Sequence, residues 1–285
     1  MKKFFMAVIA LMMTVSVSAQ FYIYLSNGSV LQADSISMVA PSDDPVEPSY
    51  TPMAFTINAN GDKIFFSQGN LQYQASTNTW RFADHQYDLI GSDNSNISST
   101  YSGWIDLFGW GTGNNPTNSS TDYNDYSTFV DWGVNAISNG GNTPNQWRTL
   151  TPDEWHYLCN KRTNAYNLRC QATVNGVHGY ILLPDDFVLP IGFTFFAEAN
   201  DWVTNVYSAL GWSKLEAAGA VFLPAAGSRY YGTQVSISGS SVSYWSSTTG
   251  DEDYVYYFFY DEFNGLMPRR DGGMRYWGMA VRLVR

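Results

Sequence analysis

Phe222-Leu223-Pro224-Ala225-Ala226-Gly227-Ser228-Arg229, then Tyr244-Trp245-Ser246-Ser247-Thr248, then the closing Ala280-Val281-Arg282-Leu283-Val284-Arg285 carry the most specific structural signal in this chain. From Val221 onward the pattern reads strand, turn, strand, with short β-prone runs bounded by Gly, Ser and Asn. Residues 278–284 alternate, Ala280, Arg282 and Val284 against Met279, Val281 and Leu283, which predicts a strand paired inside a sheet. Trp245, between a strand start and the small residues Ser246, Ser247 and Thr248, is expected in the core.

Working outward, one helix is well marked. Thr151 caps it, Pro152 takes its first position, and Glu154 completes a capping box ahead of Trp155, Leu158 and Cys159. A second helix is predicted over about residues 208–218, burying Leu210 and Leu215 and ending at Gly219. Hairpin turns are expected at Asn60-Gly61, between Phe55-Thr56-Ile57 and residues 63–67, and at Ser76-Thr77-Asn78, between residues 70–73 and 80–82. Residues 91–146 are rich in Gly, Asn, Ser, Thr, Trp and Tyr and show little periodicity; Trp104, Phe108, Trp110 and Trp132 are expected to pin them to the surface. Few helices, many short strands and no alternating βαβ units make the chain α+β.

The N-terminus reads as an export signal. Lys2-Lys3, an apolar run over residues 4–15 and Val17-Ser18-Ala19 before Gln20 have the order of a secretory signal peptide. Residues 20–39 form a small β segment, with a hairpin turn at Asn27-Gly28 and a third short strand over residues 35–39. Residues 40–52 form an acidic linker carrying Pro41, Pro45, Pro48 and Pro52, and the main domain occupies residues 53–285. The expected location is therefore outside the cytoplasm, in periplasm, cell surface or medium, with no transmembrane segment.

The formal charge is −10, and removal of the leader with its two lysines takes it to −12. So acidic a chain repels phosphate backbones, which argues against a nucleic-acid partner. Charged residues make up 14% and aromatic residues 16%, the balance of a folded domain with much aromatic surface. Export predicts a disulfide between Cys159 and Cys170, with two separate buried thiols as the alternative. His85, His156 and His178 lack metal-ligand spacing and read as ordinary hydrogen-bonded residues. Asp185-Asp186 and Asp251-Glu252-Asp253 read as solvated turns before they read as calcium or glycosidase sites. No metal set and no cofactor motif emerges.

In order, Leu223-Pro224-Ala225-Ala226-Gly227-Ser228-Arg229, Tyr244-Trp245-Ser246-Ser247-Thr248 and the terminal Val281-Arg282-Leu283-Val284 resemble the Fibrobacter succinogenes major paralogous domain. That family is similar to the C-type-lectin-like fold of formylglycine-generating enzymes and of the variable proteins of diversity-generating retroelements. The resemblance implies such a fold over residues 53–285: short antiparallel strands, two main helices and long ordered loops. It also implies recognition through residues 251–277, where retroelement-diversified relatives vary. The enzymatic relatives use paired cysteines late in the chain, and nothing after Cys170 is a cysteine; the Glu-Pro-Asn and Trp-Asn-Asp signatures of calcium-dependent lectins are missing.

Together these readings predict an exported, non-enzymatic binding module for a protein or glycan ligand. The alternatives are a structural or adhesive cell-surface component, or an enzyme with an unrecognised site. The candidate ligand-binding residues are Asp251, Asp253, Tyr254, Tyr256, Tyr260, Arg269, Arg270, Arg275, Tyr276 and Trp277, because Tyr, Trp and Arg supply large contact area at modest entropic cost. On the strand over residues 254–260, Val255, Tyr257 and Phe259 are expected inward, and Tyr254, Tyr256, Phe258 and Tyr260 outward.

Overall fold

A computed structural model describes residues 21–24, 30–33, 52–197, 199–236, 239–250 and 254–285. The leader, the turn at Asn27-Gly28, the strand expected over residues 35–39, most of the linker, and Asp251 and Asp253 lie outside the described residues. The chain divides into two units, Met1–Pro45 and Val46–Arg285. In the first, β1 (Phe21–Tyr24) pairs antiparallel with β2 (Val30–Ala33).

The second unit is α+β, dominated by short antiparallel strands. β3 (Phe55–Thr56) and β4 (Lys63–Ile64) form the Asn60-Gly61 hairpin. β5 (Leu71–Gln74) and β6 (Thr79–Phe82) form the next, turned by Asn78 in the left-handed region, and β7 (Trp104–Ile105) pairs with the other edge of β5. α1 (Pro152–Asn160) starts where its sequence demands: Thr151 Oγ1 accepts from Glu154 N, and Glu154 Oε2 accepts in turn from Thr151 N. A four-stranded sheet in the order β10-β8-β9-β11 follows, from β8 (Arg169–Val174), β9 (Val177–Leu182), β10 (Val206–Tyr207) and β11 (Val221–Pro224). Between β10 and β11 lies α2 (Ala209–Ala217), capped by Ser208 and ended at Gly219, which sits at φ +91°. β12 (Ser228–Tyr230) pairs with β13 (Gln234–Ser236), and β14 (Ser241–Thr249), β15 (Tyr254–Asp261) and β16 (Gly265–Met274) form a meander.

The two larger sheets divide the core. Alternate residues of β9 and β11 (Tyr180, Leu182, Val221, Leu223) join Trp155 and Leu158 of α1, while Ile181 and Phe222 face Trp212 and Leu215 of α2. This geometry corrects the expected disulfide. Cys159 packs in the cluster with α1, Cys170 packs with Ile181 in the cluster with α2, and both are free, buried thiols. Burial pushes the Cys159 thiol up to about 12 and the Cys170 thiol well above its ordinary range, so neither is a reactive thiolate. Leu210 is also corrected. The inward stripe of α2 is Trp212, Leu215 and Glu216, and Leu210 falls off it, 56% exposed.

β15 is buried on both faces over residues 257–260, which corrects the expected outward placement of Phe258 and Tyr260 and leaves Tyr254 exposed as expected. Val255, Tyr257 and Phe259 do pack inward with Trp245, but Phe258 and Tyr260 are equally buried on the opposite face with Val242 and Tyr244. Residues 91–146 depart from expectation as well. Phe108, Trp110 and Trp132 are core residues, and the indoles of Trp110 and Trp245 tie the segment to β14 through Ser246 O and Phe108 O at 3.0 and 2.6 Å. Trp104 remains half-buried beneath Arg81, 4.0 Å from its guanidinium.

Residues 279–284 thread between the two clusters with the expected alternation: Ala280 and Val284 on one side, Met279, Val281 and Leu283 on the other. They form no regular ladder. Their bonds go to several segments, including Phe108 N to Met279 O (3.0 Å), Leu71 N to Val281 O (2.9 Å), Ser67 N to Leu283 O (2.9 Å) and Arg148 N to Val284 O (2.8 Å).

Candidate binding cleft

The β15–β16 hairpin and the segment after it build a surface cleft of about 370 Å³. The hairpin turn is sequence-made. Asp261 Oδ1 accepts from the backbone of Phe263 and Asn264, and Gly265 takes φ +67° to close it, leaving Phe263 97% exposed at the tip. The irregular register pairs Tyr257 with Arg270 and Phe259 with Met267, which lays the Arg270 guanidinium 3.9 Å from the Phe259 ring centre and 5.8 Å from that of Tyr257.

The opposite wall comes from β12. Gly278 and Arg229 exchange backbone hydrogen bonds of 2.7 and 2.8 Å, bringing Trp277 edge-to-face onto Tyr230 at 5.2 Å. A Cβ on Gly278 would stand 2.8 Å from Arg229 Cβ and 2.9 Å from Leu107 O, so this approach requires glycine. Arg229 is wholly buried below, donating to Gly232 O and to Asn118 O (3.3 Å). Burial lowers its guanidinium's pKa, and the Tyr126 hydroxyl beside it partly restores it. Ser240, Ser241, Asp261 and Glu262 complete the polar rim.

Of the residues singled out from sequence, Arg270 and Trp277 meet in this cleft. Tyr276 lies next to it, packing on the exposed Tyr231 at 6.2 Å. Tyr254 and Tyr256 belong to the other end of the hairpin, where Tyr256 lies under Arg269 and Arg269 pairs with Asp153 of α1 at 3.1 Å. Two candidates are corrected: Tyr260 is 3% exposed and donates its hydroxyl to Gln171, and Arg275 is buried over Trp110. Tyr230, Tyr257, Phe259 and Phe263 were not anticipated. Their only sequence signal was aromatic crowding, since Tyr230 and Trp277 lie far apart in the chain and meet through Gly278.

The other candidates for chemistry have structural partners. Burial pushes Asp185 up, but bonds from Thr56 and Arg162 outweigh it and hold the carboxyl below its ordinary range, making it a clamp between β3 and the segment after β9. His85 bonds Asp88, His156 bonds Asn160, and His178 bonds Gly239 O while stacking on Trp202. Among the described residues no group of three or more His, Cys, Asp or Glu is placed to hold a metal ion. No described helix is long and apolar enough to cross a membrane. In comparisons with known proteins, the chain matches no family model, no curated protein and no solved structure.

Proposed function

We propose that this chain is an exported, non-enzymatic binding module with a C-type-lectin-like fold, recognising a protein or glycan through the cleft of Tyr230, Arg270 and Trp277 and the neighbouring Tyr276. The observation that carries the reading is the cleft itself. Aromatic rings from two separate segments line one cleft with a guanidinium that no described carboxylate pairs with. Concave sites with aromatic walls and a few placed polar groups are where ligands bind. The resemblance to the Fibrobacter succinogenes major paralogous domain points to the same end of the chain. The test is a glycan array and a pull-down from the native environment, followed by affinity measurement with Trp277→Ala and Tyr276→Ala. Trp277→Ala is expected to weaken binding by about 2 kcal/mol, as central aromatic anchors do. Unchanged affinity in both variants would place the ligand elsewhere.

A structural or adhesive role has its own support in a second surface. Between β9 and α2 the chain exposes Val188 (77%), Ile191 (102%), Phe196, Val203 and Val206, apolar side chains that a sister subunit would cover. A chain that stays monomeric in sedimentation velocity at the concentrations used for binding would remove that reading.

A further inference from the structure

The cleft's polar groups are specific enough to name a ligand class, an inference that rests on the binding reading above. Arg270 Nη1 is buried and has no hydrogen-bond partner. Among the described residues no carboxylate lies within ion-pair distance of Arg270, and Asp261 on the cleft rim accepts from Phe263 and Asn264 through Oδ1 and from Asn264 Nδ2 through Oδ2, which keeps a lone pair for a further donor. The guanidinium that carries this nitrogen lines the cleft with no described carboxylate to neutralise it, so an anion entering the cleft meets an unpaired cation. In a chain of net charge −10, this is a local site for negative charge against the overall field.

The surroundings restrict which anion fits. A single guanidinium faces the cleft, and Asp261 and Glu262 stand on the rim. Two carboxylates that close repel a dianionic phosphate, yet they accept well from neutral hydroxyl groups, as Ser241 also does. Trp277, Tyr230 and Phe259 supply flat apolar surface against which a ring packs. At about 370 Å³ the cleft is near the small end of ligand sites, which run from about 300 to 1,000 Å³. One carboxylate, several hydroxyls and a flat face describe an acidic sugar. We infer that the cleft binds a hexuronate residue, with its carboxylate on Arg270, its ring against Trp277 and Tyr230, and its hydroxyls toward Asp261, Glu262 and Ser241.

The test is calorimetric titration of the folded protein with oligohexuronates, their carboxyl-reduced neutral counterparts, and acidic hexapeptides. Oligohexuronates should bind, and carboxyl reduction should weaken binding roughly tenfold or more, the scale of a charge-assisted hydrogen-bond pair. Arg270→Gln should weaken oligohexuronate binding by the same factor and leave the neutral sugar's affinity unchanged, with Arg270→Lys between the two. Trp277→Ala should weaken both sugars. A thermal melt of Arg270→Gln guards against misfolding: a single cooperative transition shows that the variant folds. Equal affinity for acidic and neutral sugars overturns the hexuronate assignment while leaving a Trp277-dependent binding cleft intact. So does an acidic peptide that binds as tightly as the oligohexuronate, or a protein captured in place of any sugar through the same aromatic residues. If no probe binds and Trp277→Ala and Tyr276→Ala also leave every captured partner's affinity unchanged, the binding reading falls with it.

Discussion

The last seven residues of the chain and the hairpin before them are neighbours in sequence and meet opposite fates. Residues 279–284 are buried on every side, and their backbone is bonded to segments near residues 67, 71, 108 and 148. In the β15–β16 hairpin Val255 and residues 257–260 of the inner strand are buried, while Glu262, Phe263 and Asn264 at the tip and Arg269 and Asp271 on the outer strand face solvent. The difference lies in partners. An apolar alternation threaded between two clusters has a neighbour on each face, whereas β16, the outer strand of its meander, has only one neighbour strand. The first segment therefore acts as frame, and the second as display.

The largest effect should come from breaking the frame. Removing residues 279–285 takes away Met279, Val281, Leu283 and Val284, each worth about 1.5–3 kcal/mol of burial, against a net stability of about 5–15 kcal/mol. The truncated chain should lose cooperative unfolding in calorimetry; a melt with the full-length midpoint would refute the assignment of these residues as frame.

Next in size is the contrast between two tryptophans. Trp245 is 1% exposed and bonded to Phe108 O, so Trp245→Ala should cost about 3–5 kcal/mol in denaturant unfolding. Trp277 is only partly buried at the cleft wall, and Trp277→Ala should cost less than half as much. Equal losses would erase the distinction between frame and display.

The smallest effect is a pH dependence beside the frame. Asp106, two residues before the Phe108 backbone that bonds Met279, is wholly buried and accepts from Asn94 Nδ2 at 2.7 Å and Ile90 N at 3.1 Å. Burial, partly offset by those bonds, pushes its carboxyl up to about 6. The folded value exceeds the unfolded one of about 3.9, so this group's stabilisation is complete below about pH 4 and disappears as pH rises through about 6. The loss amounts to about 3 kcal/mol. Asp185 has the opposite sign, since its carboxyl is held low and its contribution is lost only as pH falls below about 4. Unfolding free energies measured from pH 4 to 7 should show the Asp106 step in the native chain and not in Asp106→Asn; identical slopes would refute it.

What the amino-acid sequence determined by itself was local or strictly periodic. The capping box of α1 is settled within four residues, the turns at Asn60-Gly61 and Asn78 by left-handed backbone, and the alternation of residues 279–284 by a period of two. Tertiary structure decided the rest. Tyr257, Phe258, Phe259 and Tyr260 are all aromatic, so no polar face marked a register, and packing on both sides buried them all. Cys159 and Cys170 have a spacing that permits a bridge, but α1 and β8 deliver them to different clusters. The cleft exists because Gly278 lets the chain lie against Arg229, setting Trp277 beside a tyrosine from a different hairpin. Such a contact depends on two backbones approaching within a few ångströms across the fold, and no local pattern of residues encodes that distance.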